Sequence, residues 1–322
     1  MKVLEGLRWQ QRYVTQLGCI KGCLEYLGAE TSFPWLYGGT GHAFIIHVPG
    51  NLDPSGPTCW DGRIMFDLAP NLGYRVEGFS IEKEAAGESF PQKQQEAWDF
   101  VRASIDRGLP CFGWELNPHI PDYYVIQGYD DVGYYYSGWG ADDRGGPAPW
   151  QQLGDTDVEV IHVYSVEACD PASDEKSVKD GLEMAIKHAG NPREWVVYPG
   201  YRSGPEGFEL WAEGLETGEA IRDGHSYNAE VWRECREMAV EFLGEAKGRL
   251  AGRCGSAFDR AADEYTAVRD TLAACLDLYP FKPETWDSAT KLQDPASAAL
   301  LREAADAERR ALDHLREIAG AL

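Results

Sequence analysis

Apolar residues at Ile20, Cys23, Leu24 and Leu27 follow the i, i+3, i+4, i+7 spacing of a helix with one buried face, and Gly28 stands where such a helix is closed. Gly18 lies just ahead of the stripe, so Cys19 is expected in the first turn. The pattern then changes. Up to about residue 168, short apolar or alternating runs bounded by Gly and Pro predict strands over 42–48, 74–79, 109–115, 123–129, 133–139 and 158–166. A glycine-rich loop over 38–41, a short helix over 67–73 and an amphipathic helix over 92–107, closed by Gly108, interrupt them. From about residue 177 the 3.6-residue period governs, predicting helices over 178–189, 204–218, 228–250, 257–278 and 296–318. One long helix followed late by successive strands belongs to the α+β class rather than to alternating βαβ folds. The later helices, joined by short connections, make an all-α bundle. A polar stretch over 167–176 separates the two, giving domains of 1–168 and 169–322.

The chain has 322 residues, 43% of them apolar, enough to fill the cores of two domains. Its net charge of −23 is spread over both halves, which argues against a nucleic-acid partner and against an anionic membrane surface. No apolar run approaches the ~18 residues of a membrane-spanning helix, and the opening Met1-Lys2-Val3-Leu4-Glu5 has no signal-peptide core. Eight scattered cysteines give neither a Cys-x-x-Cys pair nor a disulfide scaffold. Unpaired thiols without an export signal point to the cytoplasm. His42 and His47 would need a third metal ligand that the sequence does not offer, so no metal and no other cofactor is expected.

At a helix start, Cys19 would have its thiolate favoured by free N–H groups and the helix dipole. Cys19 as a small core residue is the competing reading, and Cys23, on the buried stripe, reads as packing. Aromatic residues crowd the predicted strands, Trp114, Tyr123, Tyr124, Tyr136 and Trp139 among them. They read as cross-strand packing or as the wall of a cleft for an apolar acyl chain or an aromatic amine.

Cys19, Gly22, Cys23 and Leu24 fall on the Asp-Cys-Gly-x-Ala-Cys-Leu pattern of papain-like double-glycine leader peptidases, with Gly18 and Ile20 replacing its Asp and Gly. The block Gly108-Leu109-Pro110 and the run Tyr124-Val125-Ile126-Gln127-Gly128-Tyr129-Asp130 resemble two strands of the same fold. The segment from Leu36 to Phe44, with the helical region after residue 170, is similar to the butirosin-biosynthesis acyltransferase family. In that family a papain-like domain moves an acyl group from a carrier-protein thioester to an amine. The resemblance implies an acyl-enzyme on Cys19, with Gln16 and the Cys19 N–H as oxyanion donors. The family's histidine base would precede the Tyr-Val strand, where Pro121-Asp122-Tyr123 stands. Its orienting acid is replaced by the stretch Tyr136-Ser137-Gly138-Trp139. His42 and His119 are the candidate substitute bases. Glu115 and Asp122 are candidates for orienting a histidine or binding an amine, and Trp114 and Tyr124 for lining the substrate site. His162, His188, His225 and His314 have no supporting pattern.

The expectation is cysteine-dependent acyl transfer or amide hydrolysis in secondary metabolism. Its substrate would be a small molecule or peptide, with an acyl-carrier thioester as donor. A papain-like domain without catalysis that binds a small molecule or peptide is one alternative. A scaffold forming a homo-oligomer through its helical domain is another.

Overall fold

The structure, a computed structural model, describes every residue except 118–119, 142, 191–198 and 252. The chain opens with strand β1 (Lys2–Val3) and helix α1 (Thr15–Tyr26), then helix α2 (Phe33–Gly39), strand β2 (His47–Pro49) and helix α3 (Ile64–Leu68). Strand β3 (Tyr74–Glu82), the single turn α4 (Lys83–Ala86) and helix α5 (Phe90–Asp106) lead into strands β4 (Cys111–Trp114), β5 (Tyr123–Tyr129), β6 (Gly133–Ser137), β7 (Gly145–Pro149) and β8 (Val160–Ala168). Helix α6 (Asp174–Ala189), strand β9 (Tyr201–Ser203), helix α7 (Gly204–Thr217) and strand β10 (Ala220–Ile221) follow. Helices α8 (Arg222–Arg249) and α9 (Gly255–Leu278), strand β11 (Lys291–Leu292) and helix α10 (Pro295–Ala321) complete it. The fold is α+β, with an antiparallel sheet and several helices.

Two compact units emerge, and the boundary between them is not the single cut expected from the sequence. The first holds Met1–Thr31 and Gly73–Pro171; the second holds Ser32–Leu72 and Ala172–Leu322. The return to helix falls close to the expected place, but the intervening segment after α1 belongs with the helices. Its apolar residues explain why. The Trp35 ring lies 5.5 Å from Phe242 of α8, and Phe44 lies 5.8 Å from Phe242 and 5.2 Å from Tyr265 of α9. Leu36, Ile45, Ile46 and Val48 are fully enclosed in the same unit.

In the first unit the strand order is β3-β8-β4-β5-β6-β7, every neighbour antiparallel, with β1 adding to the end of β5. Helix α1 lies against β4, β5 and β8, and α5 against β3, β4 and β8. Helix α1 ends as its sequence predicts: Gly28 has φ +77°, and the N–H of Ala29 reaches the C=O of Leu24 at 2.9 Å, a Schellman closure. Two glycines inside it have a packing role. A Cβ at Gly18 would stand 2.3 Å from the Gln10 carbonyl oxygen, and one at Gly22 would stand 2.1 Å from that of Arg8, so the segment ahead of α1 crosses the helix in direct backbone contact.

In the second unit α7, α8, α9 and α10 form the helical body. At its centre the Arg236 guanidinium, without solvent contact, donates to both oxygens of Glu308 at 3.0 and 2.8 Å. The same group donates to the Ala43 and Ile45 carbonyls at 3.1 and 2.7 Å, fixing the chain after α2. Residues 38–41 are not the expected loop: Gly38 and Gly39 complete α2, because bare backbone is needed where a Cβ would meet Phe242 at 2.0 Å and Leu72 at 2.4 Å. The strand expected over 42–48 shrinks to β2, preceded by a 3-10 turn at His42–Phe44 that Gly41 starts at φ +76°.

Candidate functional site

Cys19 lies in the second turn of α1, not the first. Helical hydrogen bonding is already established at Gly18, whose N–H donates to the Val14 carbonyl at 3.1 Å, so the free N–H groups lie ahead of the cysteine. Its side chain is completely enclosed where α1 meets the sheet. Burial pushes the thiol well above its ordinary pKa, and the charges of Cys23 and Asp122 push it further the same way. Each of these influences disfavours the thiolate, the form that attacks carbonyl carbon.

Asp122 lies at the foot of β5, in the stretch Pro121-Asp122-Tyr123. It is half-buried; the Thr15 hydroxyl donates to its Oδ1, and the Tyr123 N–H donates to the same oxygen at 3.1 Å and to Thr15 Oγ1 at 3.2 Å. Burial raises this carboxyl to about 7, against the pull of those two hydrogen bonds. Glu115, at the end of β4, is buried, and its backbone has φ +53°, unusual for a residue with a side chain. Its N–H donates to the Asp122 carbonyl at 2.8 Å, tying the two acidic residues together, and the Thr156 hydroxyl donates to its carboxylate. Burial raises Glu115 as well. Neither carboxylate forms an ion pair with Lys or Arg among the described residues.

A row of rings adjoins the two acids. Trp114 meets Tyr123 edge-on at 5.0 Å, and the Tyr123 ring stacks on His162 of β8 at 6.0 Å. The Tyr123 hydroxyl and His162 Nδ1 are hydrogen-bonded at 2.9 Å. Burial, then the charges of Tyr164, Cys19 and Asp122, hold the Tyr123 phenol well above its usual pKa. His162 is a site residue that the sequence reading passed over. It becomes visible only with the register, in which Trp114 pairs with Tyr123 across β5 while Gly113 pairs with Val163 across β8. Tyr124 is buried, its hydroxyl donating to the Ile120 carbonyl at 3.0 Å and its ring edge-on to Tyr136 at 5.3 Å.

The other expected participants are dispersed. Gln16 is half-buried in the first turn of α1. His119 lies outside the described residues. His42 belongs to the second unit, where it is buried with its Nδ1 3.6 Å from the Cys235 Sγ and its ring stacked 6.4 Å from Trp232. Burial lowers it to about 3, with Arg236 adding to the effect, so it is a neutral core imidazole. His47 and His225 are likewise buried and lowered to about 4, and His188 is held well below its ordinary range, in each case first by burial.

No group of three His, Cys, Asp or Glu side chains among the described residues is spaced to hold a metal ion. No described helix is long and apolar enough to cross a membrane. No protein-family model matches the chain, and no curated protein matches it significantly.

Proposed function

We propose that the first unit is a papain-like domain without cysteine catalysis that binds a cationic amine, carried by a small molecule or a peptide. A cysteine-bearing helix laid on an antiparallel sheet, in the chain order of helix and then strands, supports the papain-like reading. The observation that carries the loss of catalysis is the enclosure of Cys19, with Cys23 and Asp122 as the ionisable groups acting on it. A nucleophilic thiol must pass its proton to a base, and a neighbouring carboxylate makes that ionisation harder. The amine follows from the same surroundings. Glu115 and Asp122 are raised carboxyls lacking a cationic partner among the described residues, each next in sequence to an aromatic residue, Trp114 and Tyr123. An ammonium group supplies the missing countercharge and makes favourable contact with aromatic faces.

Two measurements test this. Iodoacetamide labelling, read cysteine by cysteine against pH, is expected to leave Cys19 as inert as Cys111 and Cys275 until the protein unfolds. Selective labelling with an apparent pKa well below about 8.5 would restore acyl transfer or amide hydrolysis through Cys19. For the ligand, calorimetry with butylammonium in buffers of different ionisation heat is expected to show proton release near neutral pH, because a bound cation lowers the Asp122 carboxyl from its value of about 7. Glu115→Gln is expected to weaken that binding. A flat titration with every alkylammonium tried removes the amine from the proposal.

A further inference from the structure

The connection between α9 and β11 carries Phe281 and Trp286, and both lie against Tyr227 of α8. The ring centres are 5.4 Å apart for Tyr227 and Phe281, 6.5 Å for Tyr227 and Trp286, and 6.3 Å for Phe281 and Trp286. In the same order, the ring planes meet at 56°, 88° and 75°. If all three planes ran parallel to one common line, the largest of these angles would equal the sum of the other two or its supplement. It equals neither, so the rings stand as three walls of a corner. Each ring is half-buried and keeps part of its surface in water. Hydrogen bonds and a turn hold the walls in place. The Arg222 N–H donates to the Thr290 carbonyl at 2.9 Å, and the Asp287 N–H donates to Asp223 Oδ2 at 2.7 Å. Pro283 opens a single 3-10 turn, Pro283–Thr285, directly ahead of Trp286.

We propose that this corner binds a trimethylammonium group. A cation about 3 Å above the plane of the three ring centres lies about 4.6 Å from each, within the ~6 Å over which a ring face attracts positive charge. No Lys or Arg among the described residues is seated over the Trp286 ring. Two carboxylates stand beside the corner. Asp223, paired with Arg222 at 2.7 Å, is one turn before Tyr227 on the same face of α8, and Asp287 follows Trp286. Hydrogen bonds from the Thr290 hydroxyl and the Ala289 N–H hold the Asp287 carboxyl below the usual carboxylate range, so it is charged at neutral pH. The methyl groups decide the class of cation. A primary ammonium would give up hydrogen bonds to water that ring faces do not replace, whereas a trimethylammonium has no N–H to satisfy. Three rings that stay partly in water give weak binding, with a dissociation constant of about 1 mM. The site lies wholly within the second unit and is separate from Glu115 and Asp122.

Ligand-observed NMR of choline with the intact protein tests the proposal. The choline methyl line is expected to move upfield, as protons over ring faces do, and to saturate with a dissociation constant of about 1 mM. The tert-butyl alcohol analogue of choline, in which carbon replaces nitrogen, has the same shape and no charge. It is expected to bind about tenfold more weakly. Trp286→Leu is expected to weaken choline about tenfold while the melting curve stays near wild type, and Trp286→Phe, which keeps a ring face, to remain within about threefold. A trimethyllysine peptide titrated in the same way distinguishes two sources of the group. Binding tighter than choline assigns it to a protein side chain, and equal or weaker binding to a small molecule. An unshifted choline line overturns the proposal. So does an uncharged analogue that binds as well as choline, or a folded Trp286→Leu variant with unchanged affinity.

Discussion

The Thr15 hydroxyl donates to the Asp122 carboxylate, which links the first residue of α1 to the foot of β5 one helical turn from Cys19. Asp122 is raised to about 7 from an ordinary value of 3.8. For an acid shifted upward, the folded state holds its proton longer than the unfolded chain, so stability falls as pH rises from about 4 to about 7. Asp122→Asn keeps an oxygen to accept from Thr15 and removes the charge. The variant is expected to melt a few degrees above wild type at pH 8 and to converge with it at pH 4. Melting curves across that range check the sign, and a variant less stable at pH 8 would contradict the account.

Gly22 offers a case in which propensity and packing disagree. Alanine is the better helix former by about 1 kcal/mol, so an isolated helix would gain from Gly22→Ala. In the folded protein the new methyl would stand 2.1 Å from the Arg8 carbonyl oxygen. The variant is expected to lose about 3 kcal/mol in urea denaturation, with Gly18→Ala showing a similar loss. By contrast Gly244→Ala, on α8 with open space around it, is expected to be neutral or slightly stabilising.

The second unit is expected to be sensitive to acid. His47 and His225 are lowered to about 4, so the unfolded chain takes up protons near pH 6.5 that the folded unit refuses. Their contribution is complete above pH 6.5 and is lost as pH falls toward 4, at about 3 kcal/mol each. His42 and His188 act in the same direction. Near-UV circular dichroism is expected to lose its aromatic signal between pH 6 and pH 4. His225→Gln, which can still accept from the Trp211 indole N–H, is expected to move that midpoint lower. An unchanged spectrum at pH 3 would sink this reading.

The long periodic helices were legible because a stripe such as Val231, Cys235, Met238 and Phe242 carries its own period, and α8 and α9 lie where that period puts them. The strand at 123–129 was equally plain from its apolar run. Glycine was misread wherever its role is contact rather than turning. Gly18 read as a helix boundary because nothing local announces the Gln10 carbonyl that presses on it, and that shifted Cys19 by a turn. Gly38 and Gly39 read as loop for the same reason, since Phe242 lies some two hundred residues away in the sequence. At the site, Asp122, Glu115 and Trp114 could be singled out from their positions near strand ends. His162 could not, because its link to Tyr123 depends on a register between strands far apart in the chain.

The interleaving of the two units constrains how the protein can be made. Once β8 has left the ribosome, every strand of the first unit's sheet exists, and that unit can fold with Ser32–Leu72 as a long connecting segment, at an entropic cost that grows only slowly with its length. The segment itself must wait. The carbonyls of Ala43 and Ile45 have no guanidinium until Arg236 is synthesised, and Arg236 has no countercharge until Glu308 emerges on α10. During that interval Trp35, Phe44 and Ile46 are apolar residues without a core, so synthesis itself opens a window in which a chaperone or an aggregate can compete for the early part of the chain.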